Sequence, residues 1–179
     1  MNLAIALAAP LHLVPTMTAG YALAGVHAVP AEQKARLHEV ADLLLEIYRT
    51  LVRMRFLSPD CIETGPHEID QQLAQKKELD PSIYYLHQIL PYINVDKTDS
   101  PDFIQGGSFV DFRDADCVEQ SRDPMRNGWE LSGGKGKWVD DEGEYMRPWT
   151  TTLSVLGNHQ TVIFYDAELR ESSIRSSKA

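Results

Sequence analysis

Charge is missing from the first 30 residues. Glu32 is the first charged side chain, and all 17 Lys and Arg and all 26 Asp and Glu lie from there on, for a formal net charge of −9. Basic runs are missing as well, none being longer than Lys76-Lys77. A surface this acidic repels a phosphate backbone, so no nucleic-acid partner is expected. No apolar stretch reaches the roughly 18 to 20 residues of a membrane-spanning helix. The best attempt, Leu3 to Val14, is broken by Pro10 and carries the polar His12, so no membrane span is expected. Cysteine is scarce, with Cys61 and Cys117 alone. Two thiols permit one disulfide in an oxidising compartment, but they are ordinary for an intracellular chain that buries both unpaired, and that is the expectation. The six histidines, at 12, 27, 38, 67, 87 and 159, include no pair four residues apart, and there is no Cys-x-x-Cys. Neither a metal nor a cofactor is expected on that spacing. No internal repeat is visible.

What is present is the composition of a soluble globular chain: 179 residues, 43% apolar and 24% charged. One domain is the natural count, large enough to bury roughly 70% of the surface its unfolded chain exposes. The uncharged residues 1–30 read as a separate segment with the length of a signal-peptide apolar region, and Ala22-Leu23-Ala24 or Val26-His27-Ala28 offers small residues for cleavage. The absence of Lys and Arg before the apolar region counts against secretion, so an intracellular location is slightly favoured, with Met17 as an alternative start.

From Ala31 the apolar residues Leu37, Val40, Leu44, Ile47, Leu51 and Met54 recur in steps of three and four, which predicts an amphipathic helix over 31–55 with Pro30 at its entry and Ser58-Pro59 as its stop. A weaker helix is expected near Glu68 to Lys77. A third follows Asp80-Pro81, a good N-cap before a residue suited to the first helical turn, and buries Ile83, Leu86, Ile89 and Leu90 before Pro91 ends it. After Pro91 the pattern changes to strand and loop. Ser108 to Arg113 reads as a short strand, and Asp114 as the cap of a helical turn over Ala115 to Gln120. Residues 121–145, glycine-rich and poor in aliphatics, read as a long mobile loop with Trp129 and Trp138 as anchors. Thr150 to Leu156 and Gln160 to Asp166, separated by Gly157-Asn158-His159, form the clearest β signal, a hairpin. The polar end from Leu169, including 172–179, is expected to fray. The domain at 31–171 is therefore α+β, with N-terminal helices packed on a small antiparallel sheet.

Chemistry is harder to find. Gly128-Trp-Glu-Leu-Ser-Gly133-Gly134-Lys135 misplaces its lysine for a phosphate-binding loop and is followed by no Ser or Thr. Asp111, Asp114 and Asp116 lack the glycine and closing glutamate of a calcium loop. Asp140-Asp141-Glu142 with Glu144 is read as a solvated acidic face. Trp149, after Tyr145-Met-Arg-Pro148, is either a packing residue or, with Trp129 and Trp138, a contact residue for a partner. One pairing has catalytic form: Cys117 near a helix N-terminus and His159 before a hydrophobic strand follow the chain order of papain-like hydrolases. The acids Asp114, Asp116 and Glu119 around Cys117 disfavour a thiolate.

Met54-Arg-Phe, Gly65-Pro66-His67, Leu90-Pro91-Tyr92, Gly106 to Arg113, Glu119 to Pro124, Tyr145 to Trp149 and Leu156-Gly-Asn-His-Gln160 together resemble an uncharacterised group of filamentous-fungal proteins. The order of helices and then a small sheet ending at Asp166 is similar, more remotely, to the SMI1/KNR4 superfamily, which implies a binding module. That resemblance implies a further apolar strand after Asp166, where this chain turns polar. The expectation is a non-enzymatic interaction module whose partner is another protein. The alternatives are a cysteine-dependent hydrolase or transferase using Cys117 and His159, and a secreted effector.

Overall fold

The computed structural model describes residues 28–99, 102–103, 106–123, 138–140, 143–156, 161–168 and 171–176. Over these residues the fold is α+β, with three small antiparallel sheets against helices that come mostly first in the chain.

Helix α1 spans Ala31–Arg53. It ends six residues before Pro59 because the chain reverses at Arg55, whose φ is 61°, and the Phe56 N–H returns to the Leu51 carbonyl at 2.9 Å. This is the left-handed closure that usually takes glycine. Its buried face is Leu37, Ala41, Leu44 and Tyr48, about 60° around the helix from the one expected. Val40 and Leu51 are only half-buried against the core, and Ile47 and Met54 are 41% and 70% exposed. Tyr48 explains the shift: completely buried, it meets Phe103 and Phe109 edge-on at centroid distances of 5.7 and 5.5 Å, and this turns the helix toward the larger aromatic payload.

Helix α2, Gln71–Lys76, is capped by Asp70, whose carboxylate accepts from the Leu73 N–H at 2.9 Å. Helix α3, Pro81–Ile89, starts as the Asp80-Pro81 pair predicts: the Asp80 carboxylate accepts from the Ser82 N–H at 2.8 Å. Ile83, Leu86 and the following Leu90 are fully buried. Between α1 and α2 the two-residue strand β1, Ile62–Glu63, pairs with β2, Tyr92–Ile93, after α3. Strands this short carry no alternation to read.

Ser108 to Arg113 is not a continuous strand. Ser108 makes isolated bridges to Asp102 and Val155, while Phe109, Val110 and Phe112 are all buried instead of alternating. The chain turns at Asp111, which accepts from the Arg113 N–H at 3.0 Å and whose carbonyl accepts from Asp114 N–H at 3.2 Å. Asp114 then caps α4, Ala115–Glu119, by accepting from the Asp116 N–H at 3.0 Å. Arg122, 2% exposed, donates to the carbonyls of Met146 at 2.8 Å and Lys77 at 2.6 Å, tying the end of α2 to the entry of the last sheet.

Within 121–145, where one loop is expected, strands β3, Trp138–Asp140, and β4, Gly143–Tyr145, pair as a hairpin. The last sheet has the order β5-β6-β7. Strand β5, Thr150–Thr152, runs antiparallel to β6, Thr161–Asp166, with Thr151 opposite Tyr165; the two runs pair as expected, but β5 stops at Thr152 instead of continuing to Leu156. Alternation along β6 has a physical readout: Ile163 and Tyr165 join the main core, and Val162 and Phe164 pack with Met146 on the other side. The polar end does not simply fray. Glu171–Ser176 forms β7 on the open edge of β6, with Ile174 opposite Ile163. Ladder pairing uses backbone groups, which a serine-rich segment supplies as well as an apolar one.

Candidate functional site

An open concavity lies between α1 and α3. Leu37, Leu44 and Tyr48 of α1 and Ile83 and Leu86 of α3 go to the core, and the concavity is walled by residues beside those faces. Tyr85 stands between them. Its hydroxyl shares a 3.0 Å hydrogen bond with Nε2 of His38, the two rings meet edge-on at 5.9 Å, and Lys34 Nζ sits 4.8 Å above its ring. Lys34, His38 and Asp42 are four residues apart on α1, one flank of the helix.

Two cavities open on the two sides of this tyrosine and share Tyr85 and Gln88. One, of about 440 Å³, is walled by His38, Asp42 and Leu45 of α1 and by Thr64, Gly65 and Pro66 after β1. The other, of about 320 Å³, is walled by Val29, Lys34, Ala74, Leu79 and Pro81, with the amides of Gln71 and Gln75 beside it. Gly65 sets the shape of the first wall. A Cβ there would lie 2.7 Å from the Gln88 carbonyl oxygen and 2.9 Å from the Ile89 Cα, so only glycine lets this segment lie directly on α3. Three amide side chains, two apolar surfaces and a fixed tyrosine hydroxyl can hold an extended polar backbone and fill pockets with its side chains.

Other polar clusters are committed to the fold. Glu63 receives Arg113 and, at 2.9 Å, Asn94, with Lys97 at 3.7 Å. These partners, the Arg113 hydrogen bond foremost, hold its carboxyl down at about 2. Arg113 is also forked onto Asp111 through Nε at 2.8 and 3.1 Å and through Nη2, so both carboxylates and the guanidinium are occupied by each other. Burial lowers the pKa of nearby His67, whose Nε2 is bonded to the Leu90 carbonyl at 3.1 Å. His87 is wholly buried, stacked on Phe112 at 3.5 Å, and bonded through Nε2 to Thr151 Oγ1 at 2.9 Å. No solvent path reaches it in a 0% exposed position.

Of the residues read as candidates from the sequence, Cys117 and Trp149 pack against the main core and do not line this groove. Cys117 sits half-buried in α4, packed against the main core, and neither it nor Cys61 is in a disulfide. His159 and Trp129 lie outside the described residues, and the Cys117–His159 pairing with them. Trp138 belongs to β3, with its side chain outside the described set. Trp149 packs on the main core with the Arg147 guanidinium 5.9 Å above its ring. Among the described residues no group of three or more His, Cys, Asp and Glu could hold a metal ion, and no helix is long and apolar enough to cross a membrane. The groove residues were missed because they are contributed by separate segments between 28 and 91. The one local trace was the four-residue spacing of Lys34, His38 and Asp42.

No family model matches the chain, and no curated protein and no solved structure is significantly similar to it.

Proposed function

We propose that the chain is a non-enzymatic interaction module that takes an extended segment of another protein into the groove between α1 and α3. The observation that carries this reading is the pair of cavities, about 440 and 320 Å³, meeting at Tyr85 and Gln88. Together they are within the size range of sites that bury a ligand. Gln71, Gln75 and Gln88 each offer both donor and acceptor to a peptide backbone, while Ala74, Leu79 and Pro81 offer a dry surface to one side chain. Tyr85 needs no reordering to take part, since His38 and Lys34 already hold it.

The test is selection of random displayed peptides on the immobilised full chain, followed by amide and methyl NMR shift mapping of the selected sequences. Shifts should concentrate at residues 34–45, 71–75 and 81–89, and Gln88→Lys should weaken binding at least about tenfold. Failure to select any peptide, or shifts confined to another face, removes the reading. Iodoacetamide labelling separates the thiol-enzyme alternative: a Cys117 that reacts rapidly near neutral pH would favour a hydrolase or transferase using Cys117 and His159.

A further inference from the structure

Helix α1 carries more apolar surface than the core uses. Leu43, Ile47 and Met54 are 65%, 41% and 70% exposed. At 3.6 residues per turn these three fall within about 40° of one another, next to the face of Leu37, Ala41, Leu44 and Tyr48 and away from the flank that walls the groove. With half-buried Val40 and Thr50 they follow the alternating three- and four-residue steps of a coiled-coil seam: 40, 43, 47, 50, 54.

We infer that this stripe is a self-association surface on which a second copy of the chain lays its own α1 antiparallel. The charges along the stripe choose the occupant and its direction. Glu39, Glu46 and Arg53, all exposed and seven residues apart, line its solvent side. In an antiparallel pair centred near Leu45, Leu43 of one copy meets Ile47 of the other and Val40 meets Thr50. Glu39 then comes opposite Arg53 of the second copy, and two-fold symmetry repeats the contact. Arg53 already bonds its own Glu46 at 2.7 Å, so Glu46, which lies near the axis, is accompanied by a cation. A parallel pair would set Glu39 beside the Leu44 row, where no cation is available. The seam is short, and the resulting dimer is concentration-dependent.

Sedimentation velocity of the full chain, up to about 100 μM, tests this. A monomer–dimer equilibrium is expected that Leu43→Lys with Ile47→Lys weakens at least about tenfold, with helical circular dichroism unchanged because both positions are exposed. The charge arm is independent of the apolar one. Glu39→Arg alone places two cations together at each contact and Arg53→Glu alone places two anions there, so each variant should be monomeric. An equimolar mixture of the two restores both opposite-charge contacts and should dimerise. A wild-type chain monomeric throughout, a dimer indifferent to the double lysine variant, or a mixture no more associated than its components would each overturn the inference.

Discussion

His87 gives the fold a pH limit that can be measured. Its imidazole is completely buried, and burial alone depresses its pKa from the ordinary 6.5 to about 3. Nε2 is bonded to Thr151, the ring is stacked on Phe112, and Nδ1 has no partner among the described residues. A proton on Nδ1 would leave a buried charge away from water with no acceptor among the described residues. The folded chain therefore binds this proton more weakly than the unfolded chain. The stability involved is fully present above about pH 6.5 and is lost as pH falls toward 3. The whole interval corresponds to about 5 kcal/mol, comparable to the total stability of many domains, and the part between about pH 7.5 and pH 5 to about 2 kcal/mol. Urea unfolding of the wild type and His87→Gln at those two pH values isolates it. Glutamine keeps a hydrogen-bonding group for Thr151 but has no proton to gain. The variant should be the less stable of the two near neutrality, with the gap narrowing by about 2 kcal/mol at the lower pH. A gap that does not change with pH refutes the assignment of a neutral buried imidazole.

Gly65→Ala should cost about 1–3 kcal/mol in urea unfolding, because its methyl meets backbone atoms of α3 that cannot step aside; a neutral result would mean that the segment 64–66 lifts off the helix. Tyr48→Phe should leave stability unchanged or raise it by about 1 kcal/mol, since the hydroxyl is buried without a partner among the described residues, and a clear loss would point to a bond the geometry lacks. The Glu63 carboxyl, followed by carbon-detected NMR, should titrate near 2 and return toward 4.5 in Arg113→Met. Its folded pKa is depressed, so the contribution it makes is present above about pH 4.5 and disappears as pH falls through 2. Cys61, fully buried with its thiol donating to the Ser58 carbonyl at 2.8 Å and its pKa raised chiefly by burial, should remain unlabelled by iodoacetamide until the chain unfolds.

Local chemistry was readable in the sequence wherever it was sufficient by itself. Asp80-Pro81 and Asp114 announce helix starts that need no tertiary help, and the β5–β6 pairing follows from two β-branched runs around a turn. The face of α1 was not readable, because two apolar stripes lie side by side and only the position of Tyr48 against Phe103 and Phe109 decides which one is buried. Strands β1 and β2 are too short to show a period, and β7 is held by backbone pairing, to which composition is nearly blind. The candidate site was the least legible part. Tyr85 is ordinary in its own helix and becomes a site residue only when α3 crosses α1 beside His38 and Lys34.

The most direct measurement of the central claim is a crystal structure of the full chain with a peptide selected against it. The account predicts continuous density for an extended backbone crossing Tyr85, with the Gln88 amide bonded to it and one side chain against Leu79 and Pro81. A peptide seated on any other face, with the channel between α1 and α3 filled only by solvent, would contradict it.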